Sequence, residues 1–140
     1  MLRILLVEDD IRRFEKLNSW LPDGVKLVWA KDAGVAIGIL ERLKPGEFSG
    51  LMLDCDLDKS LRSSDSRFLC GRDVVDALVT SRDARDIPVL VHSMNPSGGV
   101  DMAQRLAGAG FEVTRIRFVD LDAGRFRGWV AEIGEDAEGR

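Results

Sequence analysis

Apolar residues fall along this chain in short unbroken blocks, and three of the blocks stop at chemically capable side chains. Leu5-Leu6-Val7 runs into Glu8-Asp9-Asp10, Leu51-Met52-Leu53 into Asp54-Cys55-Asp56, and Val89-Leu90-Val91 into His92-Ser93. A block that is apolar at every position suits a parallel strand covered on both faces; a half-exposed strand would alternate. The carboxyl ends of such strands open onto a crevice. Three of them meeting at one edge would make an acidic pocket that also carries a hydroxyl and an imidazole.

Helical spacing fills the segments between the blocks. Asp9 or Asp10 is placed to cap a helix reaching about Trp20, with Ile11, Phe14, Leu17 and Leu21 near one face. Pro22-Asp23-Gly24 is a turn, and Val25–Ala30 reads as the second strand. Asp32 caps a helix that buries Ala33, Ala36, Ile37, Leu40 and Leu43 and breaks at Pro45-Gly46. Gly71 opens a third helix to about Arg82, burying Val74, Val75, Leu78 and Val79. Asn95 and Pro96 read as the cap and first turn of a fourth, which ends near Ala109 at Gly110. Phe111 to Arg117 alternates as an edge strand does, and Asp122 caps a last helix with Phe126, Trp129, Val130 and Ile133 at helical spacing. From Cys55 to Cys70 the chain is polar and irregular, reading as a long loop without structure, of the kind that binds or covers a ligand. Strand and helix alternating in this way predict a doubly wound α/β sandwich, a single domain over residues 1–133 with a flexible tail at 134–140.

Composition narrows the class. The 140 residues suffice for one core, and 45% hydrophobic with 31% charged residues is ordinary for a globular domain. A formal net charge of −4 excludes a surface that is basic overall. Lys59, Arg62, Arg67 and Arg72 make the loop region locally basic, which suits a nucleic-acid backbone or, more plainly, a solvated loop. Cys55 and Cys70 form neither a disulfide framework nor a zinc signature, so a reduced, cytoplasmic setting is expected. No segment reads as a secretion signal or a membrane span.

Val7-Glu8-Asp9-Asp10, Leu53-Asp54 and Val91-His92-Ser93 resemble the receiver domain of two-component response regulators, over nearly the whole chain. The resemblance implies a flavodoxin-like three-layer sandwich with a five-stranded parallel sheet in the order 2-1-3-4-5. It implies Mg²⁺ (or Mn²⁺) held by Glu8, Asp9 and Asp54, phosphoryl transfer to Asp54, and contact of Ser93 with the phosphoryl oxygens. Gly71 matches the glycine that opens the family's third helix. The chain also departs from the pattern. The family's proline after the acceptor is absent, with Asp58 near its place, and the loop before Gly71 is longer. The strand-five lysine and its proline are missing; by position Arg115 or Arg117 replaces the lysine. Asp54-Cys55-Asp56-Leu57, Gly71-Arg72-Asp73-Val74-Val75 and His92-Ser93-Met94-Asn95-Pro96 are similar to a divergent subgroup, the cyclic-phosphate-processing receiver domain. That subgroup implies action on cyclic or terminal phosphates of nucleic acid ends or nucleotides.

The residues support such chemistry. Mg²⁺ takes oxygen ligands in an octahedron, so Asp9 and Asp54 suit direct ligation and Glu8 ligation through a water. Asp56 is a second ligand, through its carboxylate or its carbonyl, or a base. Clustered carboxylates repel by about 4 kcal/mol per pair at ~4 Å and an effective dielectric near 20, a cost that a cation relieves. Each acid alone also has a plain structural role, as a cap or a strand end. Asp54 is the candidate nucleophile. His92 suits protonation of a leaving oxygen, but a continuing strand turns it away from Ser93, and a core histidine is the other role. Arg115 is the candidate catalytic cation. Arg12, Arg72, Arg117 and Asn95, which stands beside the glycines that start the fourth helix, are further candidate phosphate contacts.

Three functions fit. The first is a Mg²⁺-dependent phosphoesterase-like domain with Asp54, His92 and Ser93 in one arginine-lined pocket. The second is a stand-alone response regulator phosphorylated on Asp54 by a histidine kinase or phosphotransfer protein, with Arg115 acting for the lysine. The third is a degenerate receiver that binds a protein partner or pairs as a homodimer, with a large apolar patch near the last helix. The intact acids weigh against the third, and the lost lysine and long loop against the second. The first is the preferred reading.

Overall fold

The computed structural model describes residues 1–57, 60–61 and 68–138, and at 60–61, 68–69 and 138 the backbone alone. The elements in order are β1 (Leu2–Val7), α1 (Ile11–Ser19), β2 (Val25–Ala30), α2 (Ala33–Glu41), β3 (Gly50–Leu53), β4 (Ser60–Leu61), β5 (Phe68–Leu69), α3 (Gly71–Thr80), β6 (Val89–Val91), α4 (Pro96–Gly108), β7 (Val113–Arg115) and α5 (Ala123–Glu138). A single 3-10 turn, Phe118–Asp120, leads into α5.

The main sheet is five-stranded and parallel, in the order β2-β1-β3-β6-β7. Counting only its own strands, this is the expected order 2-1-3-4-5. The central strands are closed on both faces: β3 and β6 are buried at every position. Leu5, Val7, Leu51, Leu53, Val89 and Val91 join one core cluster, which takes in buried residues of α2, α3 and α4. Ile4, Leu6, Met52 and Leu90 join the other, with Leu17 of α1 and Phe126, Trp129, Val130 and Ile133 of α5. Successive strand residues alternate between these two layers, as pleating requires. The edge strand β7 is half-exposed.

The helix starts are set by short polar side chains. Asp10 accepts from Arg12 N at 2.8 Å, Asp32 from Val35 N at 2.8 Å, Asn95 from Gly98 N at 2.9 Å and Asp122 from Arg125 N at 2.8 Å. Each such cap is worth about 1 kcal/mol. Gly110, at φ 97°, lies in the left-handed region just past the C-cap of α4, where glycine costs least.

Several expectations need correction. Residues 55–70 are not wholly irregular: β4 and β5 pair antiparallel, Ser60 opposite Leu69 and Leu61 opposite Phe68. The expected loop cations Lys59, Arg62 and Arg67, and Asp58, lie outside the described residues. The last helix runs on to Glu138. Ile11 is 54% exposed: it opens α1 outside the cluster that Leu17 joins. The fifth sheet strand is shorter than expected, because the backbone turns at Arg117 into the 3-10 turn. Among the described residues no helix is long and apolar enough to cross a membrane.

Candidate functional site

Sheet register builds the site. Val7 pairs with Leu53, and Leu53 with Val91. The next residue on each strand is Glu8, Asp54 and His92. Asp54 N donates to Val7 O at 3.3 Å and His92 N to Leu53 O at 3.1 Å, so the row extends one step past the strands. Residues level with one another on neighbouring parallel strands point to the same face. Glu8, Asp54 and His92 therefore follow Leu6, Met52 and Leu90 onto the layer of α1 and α5.

One ligand atom of each of these three side chains lies within 4.8 Å of the other two. Glu8 and His92 are fully buried and Asp54 is 2% exposed. His92 Nε2 stands 3.0 Å from Glu8 Oε1, while the other carboxylate oxygen accepts from Asp10 N at 3.1 Å. Among the described residues His92 Nδ1 has no hydrogen-bond partner. Nε2 faces the carboxylate, so the proton it carries is donated to Glu8. The ring meets Phe118 edge-on, centroids 6.3 Å apart. Asp54 accepts from Asp56 N at 3.4 Å.

The fourth group at this cluster is Arg13. Its Nη1 lies 3.4 Å from Asp54 Oδ2 and 3.6 Å from Glu8 Oε1, and its guanidinium sits over the Phe118 ring at 5.2 Å. Burial works to raise the Glu8 carboxyl, but the His92 hydrogen bond and charge and the Asp10 amide together hold it below its usual range. For Asp54 burial wins. With the Glu8 charge adding to it, burial raises the acid despite the opposing His92 and Arg13 charges.

The other expected residues lie around this cluster. Asp9, half-buried, is not among the clustered ligands. Asp56 is exposed and accepts from Asn95 Nδ2 at 3.3 Å. Ser93 is on the opposite layer, as alternation from His92 requires. Its Oγ accepts from Asn95 N at 3.1 Å, and its Cβ lies near Gly99. Arg115 is exposed and also lies against Gly99. Arg117 pairs with Asp120 at 2.9 Å. Arg12 is turned outward, 88% exposed, beside Asp10. Arg72 lines a cleft of about 310 Å³ with Cys55, Asp56, Leu57, Cys70 and Asn95. The structure thus brings Asp54, His92 and Glu8 together, and leaves Ser93, Arg115, Arg117 and Arg12 out of their contacts.

Arg13 escaped the sequence reading, although a signal for it exists. It lies four residues before Leu17, hence one turn away on the buried face of α1, whereas Arg12 falls off that face. Two glycines also belong to the site's frame. Gly71 N donates to Cys55 O at 3.1 Å, and a Cβ there would collide with the Asp54 carbonyl. A Cβ on Gly98 would come within 2.6 Å of Cys55 Sγ.

A parallel sheet in this order, with acids at the carboxyl ends of its first and third strands, defines a receiver domain. Within that class the chain belongs to the cyclic-phosphate processing receiver domain family, which it matches over residues 4–108. Among solved structures it is similar to the signal receiver domain of a proposed Luxo repressor protein of Vibrio parahaemolyticus. That likeness has a TM-score of 0.69 at 22% identity, over 98% of this chain and 92% of the other. A second is the receiver domain of a sensor histidine kinase of Pseudomonas aeruginosa, crystallised with a magnesium ion coordinated in its active site cleft. It has a TM-score of 0.69 at 18% identity, over 95% and 98% of the two chains. A third is a CheY-like receiver domain of Methanospirillum hungatei, with a TM-score of 0.65 at 18% identity, over 99% and 95%. At these identities the likenesses speak for the fold alone. Comparison with curated proteins returns no match.

Proposed function

We propose that this domain binds a divalent cation at Glu8 and Asp54 and processes a cyclic or terminal phosphate of a nucleotide or nucleic acid end. The observation that carries this reading is the cluster of Glu8, Asp54 and His92, whose ligand atoms lie within 4.8 Å of one another, with an arginine at its edge. The two carboxylates are donors that fit Mg²⁺ or Mn²⁺, with Asp9 close by. The receiver domain from Pseudomonas aeruginosa holds magnesium in its cleft, which favours the same ion here. A bound cation would neutralise phosphate charge as a nucleophile approaches.

The chain's own residues divide the remaining work. Asp54, raised by burial and by Glu8, is the carboxylate that gains most from a cation, as a ligand or as a nucleophile. His92 lies behind Glu8, with no exposure to a substrate. It acts on the substrate through Glu8, holding that carboxylate ionised and aimed. The phosphorelay reading asked for Arg115 in the lysine's role, and Arg115 lies on the other layer against Gly99. The binding-module reading asked for an apolar patch near the last helix. Among the described residues the exposed large hydrophobics are Met1, Ile11, Val35, Met94, Val100 and Val119, none of them on α5.

The test is phosphorus NMR of the protein with Mg²⁺ and a nucleoside 2′,3′-cyclic phosphate. Loss of the cyclic resonance with the wild type, and its persistence with Asp54→Asn, is the expected result. An unchanged resonance together with acetyl phosphate labelling of Asp54 would instead make the chain a phosphoacceptor for a kinase or phosphotransfer partner.

A further inference from the structure

We infer that Arg13 is the cation this site uses in place of a strand-five lysine: it balances Glu8 and Asp54 when no metal is bound and turns to the phosphate when one is. This rests on the metal-dependent phosphate reading above.

Four observations carry it. First, Arg13 reaches both acids through one nitrogen, at 3.4 Å and 3.6 Å. Close charge-assisted contacts run about 2.7–2.9 Å, so these are loose and exchangeable. Second, its side chain is 29% exposed while both acids are closed off, so Arg13 stands between them and the solvent from which a ligand arrives. Third, the two arginines at the end of β7 lie elsewhere, Arg115 against Gly99 and Arg117 paired with Asp120. Fourth, the Phe118 ring beneath the guanidinium supplies a platform that does not depend on the acids. Arg13 can therefore release a carboxylate and stay at the pocket mouth. A planar guanidinium presents paired donors that match phosphate oxygens.

Arg13 and a metal ion then compete for the same two acids, while Arg13 and the metal cooperate on a phosphate. Removing Arg13 should move the two affinities in opposite directions. A residue that merely anchored α1 would weaken both together or neither.

The experiment compares the wild type with Arg13→Met and Arg13→Lys. Mn²⁺ binding is followed by the free-ion electron paramagnetic resonance signal. Inorganic phosphate binding is followed by calorimetry in saturating Mg²⁺. Arg13→Met should bind Mn²⁺ about tenfold more tightly and phosphate about tenfold more weakly, one unit of charge being lost from each balance. Arg13→Lys should keep the wild-type Mn²⁺ affinity and lose part of the phosphate affinity; it carries the test if Arg13→Met does not fold. If the wild type binds both ligands and the variants match it, or lose both affinities in parallel, Arg13 is not the exchanging cation and the metal-dependent reading stands. If the wild type binds neither ligand, both readings fall.

Discussion

His92 Nε2 lies 3.0 Å from Glu8 Oε1, and neither side chain has any exposure to solvent. A buried carboxylate is tolerated only with partners, and this histidine is the closest one. His92→Ala should therefore destabilise the domain by about 3 kcal/mol, the usual result of leaving a buried charge without its partner. His92→Gln, which keeps a donor, should recover part of the loss. Urea denaturation without metal measures both. Equal and small effects would mean that Glu8 does not lean on the ring.

The two acids should respond to pH in opposite ways. Glu8 is held below its ordinary 4.5, so it contributes stability above that value and loses it as pH falls toward its folded-state value. Glu8→Gln should thus destabilise at pH 7, and the gap should shrink on acidification below about 4.5. Asp54 is raised above its ordinary 3.8, so its ionised form costs stability at neutral pH. Asp54→Asn should stabilise the metal-free protein at pH 7 by on the order of 1 kcal/mol, and the gain should vanish as pH falls through the folded value toward 3.8. Thermal melts across pH 3 to 8 separate the two signs.

Glycine replacements discriminate close approach from simple helix propensity. Gly71→Ala places a methyl group against the Asp54 carbonyl and the Cys55 backbone, neither of which can swing aside. It should cost about 1–3 kcal/mol and weaken Mn²⁺ binding by shifting Asp54. Gly128→Ala, inside α5 with nothing within 4 Å of the added carbon, should gain up to about 1 kcal/mol and leave Mn²⁺ binding alone. Melting curves and metal titrations on the pair check this.

The two thiols should react at different rates. Burial, with the Asp56 charge, pushes Cys55 up to about 11, and its side chain is closed off beneath Gly98. At pH 8 iodoacetamide should modify the half-buried Cys70 first, and Cys55 only slowly until the chain unfolds or pH approaches 11. Mass spectrometry of a time course reads the order.

What the amino-acid order settled by itself was the set of elements and their sequence. Blocks apolar at every position mark covered strands, and caps at Asp9 or Asp10, Asp32, Asn95 and Asp122 mark helix starts, because both depend on neighbours within a few residues; the structure chose Asp10. The acids at strand ends were legible for the same reason. The direction of His92 was not: it turns away from Ser93 because the ladder continues one residue past β6, with His92 N donating to Leu53 O. The pairing of Ser60–Leu61 with Phe68–Leu69 was not legible, since nothing in a polar stretch announces a short ladder. Nor was the choice among arginines. Helical spacing from Leu17 separates Arg13 from Arg12, but nothing local ranks Arg13 against Arg115 and Arg117. Only the sheet's register, which lines Glu8 up with Asp54 and His92, and the seating of α1 over Phe118 put Arg13 at the acids and the others elsewhere. Those are contacts between residues 38 to 105 positions apart, from Leu53 with Val91 to Arg13 with Phe118, and long-range packing alone selects them.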